Sequence, residues 1–178
     1  PQYGARPDSL ALLARADHAR VAAQMRTKPE LFAPSEEGFA NVETAIAERG
    51  AAAECFLADY ESGFLHGRYV GAALPRLPFA DGSFDLTLCA HLLFLHSGLF
   101  DYAFHLAACR ELVRVTRPGG EVRLHPLCGG DGRTYGELDR LLAELAVADG
   151  VAVKHTPVRG AFFHAADTTL VLARPTAM

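Results

Sequence analysis

The sequence predicts an α/β fold in which helices alternate with the strands of one sheet. Hydrophobic residues in the first third of the chain recur at helical spacing, whereas later segments contain short runs of strand-forming residues bounded by glycines and turns. Strands that alternate with helices are typical of a layered α/β architecture. The last two predicted strands are separated by only about a dozen residues, too few for a parallel crossover, so we expect this pair to be antiparallel.

The bounds of the predicted elements follow from local signals. Asp101 is a good helix N-cap, residues 80–83 form a turn, and the run Pro118-Gly119-Gly120 ends a helix and turns the chain. The predicted helices cover residues 8–27, 37–60, 101–116 and 133–147, and Gly50 could divide the second. The predicted strands cover residues 67–72, 84–90, 121–125, 151–155 and 168–173, and the strand at 84–90 is expected to be buried.

The composition limits the kinds of partner. The chain has 178 residues, which fits one domain, and half of them are hydrophobic. It carries 17 Lys and Arg against 21 Asp and Glu, a net charge of −4, so neither nucleic acid nor an anionic membrane surface is expected as a partner. No stretch is apolar and long enough to cross a bilayer. The cysteines form no C-x-x-C pair, so we expect reduced thiols and a cytoplasmic protein. They are Cys55, Cys89, Cys109 and Cys128.

Two motifs in the second half of the chain resemble a known family. Residues 74–86 read L-P-R-L-P-F-A-D-G-S-F-D-L and resemble the L-P-F-x-D-x-S-F-D segment of class I S-adenosylmethionine-dependent methyltransferases. Residues 110–120 read R-E-L-V-R-V-T-R-P-G-G and are similar to that family's E-L-x-R-V-x-(R/K)-P-G-G helix end and turn. The resemblance covers residues 64–174 and is weaker over residues 1–63. It implies a Rossmann-like methyltransferase sheet with a final antiparallel strand, and S-adenosylmethionine as the cofactor.

The resemblance also implies where the cofactor binds. In an open α/β sheet, ligands bind beyond the carboxyl ends of the strands, where the strand order reverses. Residues Cys89, Ala90 and His91 stand where the family's fourth strand ends, and would line the amino-acid end of the cofactor. Leu77, Pro78 and Phe79 would pack near its adenine, although they could equally be a hydrophobic plug between strands. Gln2 and Tyr3 are assigned to the cofactor as well, because a similar segment follows the ribose-binding acidic residue in one bacterial subgroup.

The chain departs from the family pattern in two places. It contains no G-x-G-x-G run, and Gly71, Ala72 and Ala73 occupy the region of the acidic residue that often binds the adenine. We therefore expect residues 1–178 to be one methyltransferase-like domain that is incomplete at its N-terminus, and to bind the cofactor weakly alone. Residues 1–63 would form a helical lid with connecting helices, and residues 64–178 the C-terminal part of a sheet whose N-terminal strands are missing. A complete, smaller α/β protein with a closed-up sheet is the alternative.

His91 is the candidate catalytic residue, since it follows a predicted strand at the presumed site. It could remove a proton from the methyl acceptor, or serve only as a hydrogen-bonding partner of the backbone. A Cys89–His91 nucleophile is a weaker alternative, because no third residue or oxyanion hole accompanies it. The spacing of His91, His96 and His105 suits no metal site. Arg110, Arg114 and Arg117 form a stripe that we expect to be a solvated helix face, paired in part with Glu111.

The function implied is methyl transfer from S-adenosylmethionine to a small molecule or a protein side chain. A methyltransferase-like scaffold that has no activity and binds a partner is the alternative from a different class. The sequence does not specify the acceptor or the oligomeric state.

Overall fold

A computed structural model describes residues 6–33, 38–159, 161 and 164–174. Gln2 and Tyr3 therefore lie outside the described residues. The chain divides into two compact units, Pro1–Ala73 and Leu74–Met178, and each is described by itself.

The first unit is built on two long helices. Helix α1 spans Pro7–Thr27 and helix α2 spans Val42–Leu65, with a short 3₁₀ turn at Pro29–Leu31 between them. Ion pairs join Arg15 to Glu54 and Arg26 to Glu43, so the two helices run antiparallel. Their apolar faces supply the buried side chains of this unit, which include Leu10, Ala22, Met25, Ala45 and Ile46. The predicted first helix is thus confirmed.

Helix α2 begins later and continues further than the sequence predicted. Its start at Val42 is set by Asn41, whose side chain accepts a hydrogen bond from the backbone N–H of Thr44 at 2.9 Å. Gly50 does not divide the helix, which ends only at Leu65.

The predicted strand at residues 67–72 is wrong. The backbone N–H groups of Arg68 and Tyr69 both donate to the carbonyl oxygen of Gly63, at 2.7 and 3.3 Å, so they close the end of α2. The Tyr69 hydroxyl donates to Asp59 at 2.8 Å, and its ring packs against Phe56. Amides that cap a helix are not available for a strand ladder, so the short run of strand-forming residues serves as a helix stop instead.

The second unit contains a four-stranded sheet. Its elements in chain order are strand β1 (Phe84–Ala90), helix α3 (Tyr102–Val115), strand β2 (Thr116–His125), helix α4 (Leu138–Asp149), strand β3 (Ala152–Pro157) and strand β4 (Thr168–Ala173). The strand order is β1-β2-β4-β3. β1 and β2 are parallel, and β4 runs antiparallel to both of its neighbours. The α/β fold class and the antiparallel closing pair are therefore confirmed.

Of three local predictions in this unit, two need correction and one is confirmed. Helix α4 begins at Leu138 rather than at residue 133, because Thr134 forms an antiparallel bridge with Cys128. Asp101 does cap α3, accepting from Phe104 at 2.8 Å. The helix ends at Val115, before Pro118-Gly119-Gly120, and β2 starts at Thr116. The segment lies within β2 as an irregularity, where the register with β1 shifts between Phe84 and Leu86 and Gly119 has a φ of 74°.

Strand β1 is largely exposed, which corrects the prediction of a buried strand. Leu86 is 44% and Leu88 66% exposed, whereas Cys89 is buried. β1 is a terminal strand of the described sheet, and α3 and α4 pack on the face to which Cys89, Val122 and Leu124 point. Because side chains alternate along a strand, Leu86 and Leu88 point to the opposite face. Among the described residues, no helix combines the length and the apolar character needed to cross a membrane.

Candidate active site

The carboxyl ends of the parallel strands β1 and β2 lie side by side. Ala90, the last residue of β1, is the register partner of His125, the last residue of β2. His91 follows Ala90 directly and is exposed, while His125 is half-buried. The two imidazole rings lie 6.0 Å apart, centroid to centroid, with their planes at 79°. The fold therefore brings two histidines together at the edge where α/β sheets bind ligands.

His91 has an unusual backbone conformation. Its φ is 54°, which is the left-handed region, and within the described part of the chain it is the one non-glycine residue with a positive φ. Its backbone N–H donates to the carbonyl oxygen of His125 at 2.7 Å, which extends the β1–β2 ladder by one residue before the chain turns away. A non-glycine residue in this region costs roughly 1–3 kcal/mol and persists only where its surroundings fix it.

His125 is anchored on its other side by β4. Its Nδ1 atom lies 3.3 Å from the carbonyl oxygen of Thr168 and 3.3 Å from the hydroxyl of Thr169. The sequence motifs did not indicate His125 as a candidate residue. The strand order was the missing information, because it places β1 on one side of β2 and β4 on the other.

The loop after β1 is fixed to α3 through a buried histidine. His105 is fully buried; its Nδ1 atom lies 2.8 Å from the carbonyl oxygen of Asp101 and its Nε2 atom 3.2 Å from that of Leu93. Its ring stacks on Tyr135 at 4.4 Å and on Phe94 at 5.8 Å. The loop that carries His91 thus has a rigid attachment to the core. No group of three or more potential metal ligands occurs among the described residues.

Cys89 and Ala90 have different surroundings. The Cys89 side chain belongs to the core beneath α3, where burial raises the pKa of its thiol. Burial also raises the pKa of the Cys109 thiol, to about 12. A raised pKa disfavours the thiolate, which argues against a Cys89–His91 nucleophile. Ala90, in contrast, is exposed at the strand end.

Leu77, Pro78 and Phe79 lie at the opposite end of β1. The Phe79 ring contacts Phe84, the first residue of β1, at 4.9 Å between centroids. Seven residues of strand at about 3.3 Å each separate this end from His91 by about 20 Å. The structure therefore brings Cys89, Ala90 and His91 together, and it does not bring Leu77, Pro78 and Phe79 to them.

Two side chains of α3 hold the backbone of Leu77. Glu111 accepts from its N–H at 2.5 Å, and Arg114 donates to its carbonyl oxygen at 3.3 Å. Arg114 also forms ion pairs with Glu111 at 2.8 Å and with Asp81 at 2.6 Å. Chiefly through its hydrogen bonds from Arg114, the pKa of Glu111 is lowered to about 2. The predicted pairing of the arginine stripe with Glu111 is confirmed for Arg114. Glu111 and Arg114 together also form a clamp on residues 77–81.

Part of the chain is similar to known methyltransferases. Residues 38–124 match a family described as a methyltransferase domain, a range that contains α2, β1 and α3 together with both sequence motifs. An uncharacterized protein of Methanocaldococcus jannaschii is 30% identical over 89 residues, which is 50% of this chain and 38% of that protein. A demethylmenaquinone methyltransferase of Mycolicibacterium vanbaalenii is 38% identical over 79 residues, which is 41% of this chain and 32% of that enzyme.

The chain thus spans between 32% and 38% of the length of these two relatives. Among solved structures, a SAM-dependent methyltransferase from Methanosarcina mazei is similar with a TM-score of 0.41 and 14% identity, over 60% of this chain and 66% of that chain. The family match includes the strand end with Ala90 and both motifs, and by this match residues 38–124 are similar to a methyltransferase domain.

Proposed function

We propose that the protein carrying this chain transfers a methyl group from S-adenosylmethionine to a small molecule or a protein side chain. The observation that carries the proposal is the family match over residues 38–124, which ends at the site of the two histidines. When bound, S-adenosylmethionine supplies an electrophilic methyl group on a sulfonium, so the protein's own contribution is positioning and proton removal.

The end of β1 fits the amino-acid part of this cofactor. Ala90 is small and exposed, and the chain turns away at His91, so a ligand can lie across the strand end. Ala90 and His91 are therefore the proposed cofactor contacts of this edge. The Cys89 thiol is buried beneath α3, which leaves only its backbone for such a contact.

The remaining predicted contacts stay predictions. Glu111 and Arg114 already bind both backbone groups of Leu77, so a cofactor contact there would come from the side chains of Pro78 and Phe79. Gln2 and Tyr3 lie outside the described residues. For an oxygen or nitrogen acceptor, a histidine of this edge removes the proton, and His91 is the one that the sequence predicted.

The test is cofactor binding followed by methyl transfer. Calorimetry should detect S-adenosylmethionine binding to the protein that carries this chain, whereas residues 1–178 alone are predicted to bind it weakly. Ala90→Phe should weaken the binding about tenfold or more by filling the strand end. Val147→Phe, at an exposed position of α4, is the matched control and should bind normally. Methyl transfer is then measured with labelled cofactor and a panel of acceptors that includes demethylmenaquinone, which the Mycolicibacterium relative's name specifies. Binding without transfer to any acceptor would favour the inactive scaffold.

A further inference from the structure

The contacts of His125 define which of its ring nitrogens carries the proton. Nδ1 lies 3.3 Å from the carbonyl oxygen of Thr168, and a carbonyl oxygen can only accept a hydrogen bond. Nδ1 must therefore be the donor, and the hydroxyl of Thr169, also at 3.3 Å, can accept from it as well. In a neutral imidazole with a proton on Nδ1, the lone pair is on Nε2.

The Nε2 atom of His125 makes no hydrogen bond within the described part of the chain. His125 is half-buried, so part of this residue is accessible to a ligand at the strand ends. An imidazole that is oriented through one nitrogen and keeps a lone pair on the other has the arrangement that a general base requires. A purely structural histidine needs only the first of these two properties.

We propose that His125 is a further catalytic residue, whose Nε2 removes the proton from the methyl acceptor. This inference rests on the proposed function. In the balanced step, the acceptor atom bonds to the methyl carbon, its proton passes to the lone pair of Nε2, and the electrons of the broken sulfur–carbon bond remain on sulfur. The base gains one positive charge as the sulfonium loses one.

His91 supports this role from the neighbouring strand. Its ring stands 6.0 Å from that of His125, and its backbone N–H holds the carbonyl oxygen of His125. His125, with its ring fixed by β4, is the base in this proposal, and His91 contacts the cofactor.

A first experiment reads the tautomer directly and needs no methyl acceptor. In nitrogen NMR spectra of the labelled wild-type protein, recorded at alkaline pH, Nδ1 of His125 should appear protonated and Nε2 unprotonated. His155, which is exposed on β3, is the matched reference and should show the averaged signals of a solvated imidazole. A proton found on Nε2 of His125 overturns the proposal.

A second experiment measures turnover per folded molecule. His125→Ala should lower kcat about a hundredfold or more, the usual scale for loss of a general base, while the Kd of S-adenosylmethionine stays within about twofold of wild type. Added imidazole should restore part of kcat, which a structural defect would not allow. His155→Ala is the control and should be fully active.

The outcomes separate this inference from the proposed function. A wild-type protein that binds the cofactor and transfers methyl groups, together with a His125→Ala variant whose kcat is within about threefold of it, overturns the role of His125 alone. A wild-type protein that neither binds the cofactor nor transfers a methyl group to any acceptor overturns the proposed function, and the catalytic role with it.

Discussion

At the amino end of strand β1, hydrogen bonds and ion pairs join the strand and the residues before it to α3 and β2. At its carboxyl end lie the imidazole rings of His91 and His125, and the backbone of His91 is in the left-handed region. The amino end has Glu111 and Arg114 on the backbone of Leu77, and an ion pair between Asp85 and Arg117. The carboxyl end has His91 at φ 54° and His125 with an unbonded Nε2 within the described residues. One end is arranged for stability, and the other retains groups that are available to a ligand.

This contrast predicts that substitutions at the amino end change stability most. Glu111→Ala removes a charged acceptor that is only 11% exposed and leaves the N–H of Leu77 unsatisfied. We expect a loss of about 2–3 kcal/mol in the free energy of unfolding, measured by urea denaturation. Glu121→Ala removes an exposed partner of Arg123 and should cost below about 1 kcal/mol. Equal losses in the two variants would contradict the clamp.

The same contact should appear in the pH dependence of stability. The folded-state pKa of Glu111, about 2, lies below the ordinary value of a glutamate. A depressed carboxyl pKa stabilises the folded state above the unfolded pKa, and this stabilisation is lost as pH falls through the folded pKa. Between pH 5 and pH 2, wild type should therefore lose more stability than Glu111→Gln. An equal loss of unfolding free energy in wild type and Glu111→Gln over this pH range would show that Glu111 makes no such contribution.

The next largest loss of stability is expected where β1 and β2 lie in close contact at the amino end of β1. A Cβ atom at Gly120 would lie 2.7 Å from the carbonyl oxygen of Asp85, so the ladder must open to admit a methyl group. Gly120→Ala should cost about 2 kcal/mol through overpacking. A Cβ at Gly136 meets no atom within 4 Å, and Gly136→Ala is the control. A Gly120→Ala variant as stable as this control would mean that the strands separate easily.

The smallest expected effect is a difference in stability between two variants of His91, at the carboxyl end of β1. His91→Gly and His91→Ala both remove the imidazole, but only glycine adopts φ 54° without strain. The glycine variant should be the more stable of the two by about 1 kcal/mol, which reverses the usual order of alanine and glycine. Thermal unfolding of both variants measures this difference. A more stable alanine variant would indicate that the turn after β1 rearranges freely.

Local sequence signals predicted those structural features that depend on residues close together in the chain. Asp101 can cap α3 with its own side chain, and the short connection after β3 excludes a parallel partner for β4. The motif at residues 74–86 likewise indicates the resemblance to methyltransferases. These features depend on contacts or chain lengths within a few residues, which a sequence displays directly.

Other features depend on which element becomes the neighbour. Residues 67–72 have the composition of a strand. The backbone N–H groups of Arg68 and Tyr69 donate instead to the carbonyl oxygen of Gly63, so the segment ends helix α2. Leu86 and Leu88 look like core residues, but α3 and α4 pack on the other face of the sheet. A hydrophobic pattern predicts that side chains can be buried; it does not specify the surface that will cover them.

The sequence by itself determined the α/β class, the positions of α1, α3 and the closing strands, and the resemblance to methyltransferases. The role of His91 that the sequence suggested stays a prediction. Only the tertiary structure decided that Leu77 and His91 lie at opposite ends of β1 and that His125 stands beside His91. The physical reason is the strand order. His125 is 34 residues from His91 in the chain, and only the parallel pairing of β1 with β2, flanked by β4, brings the two rings to one edge and fixes one of them there.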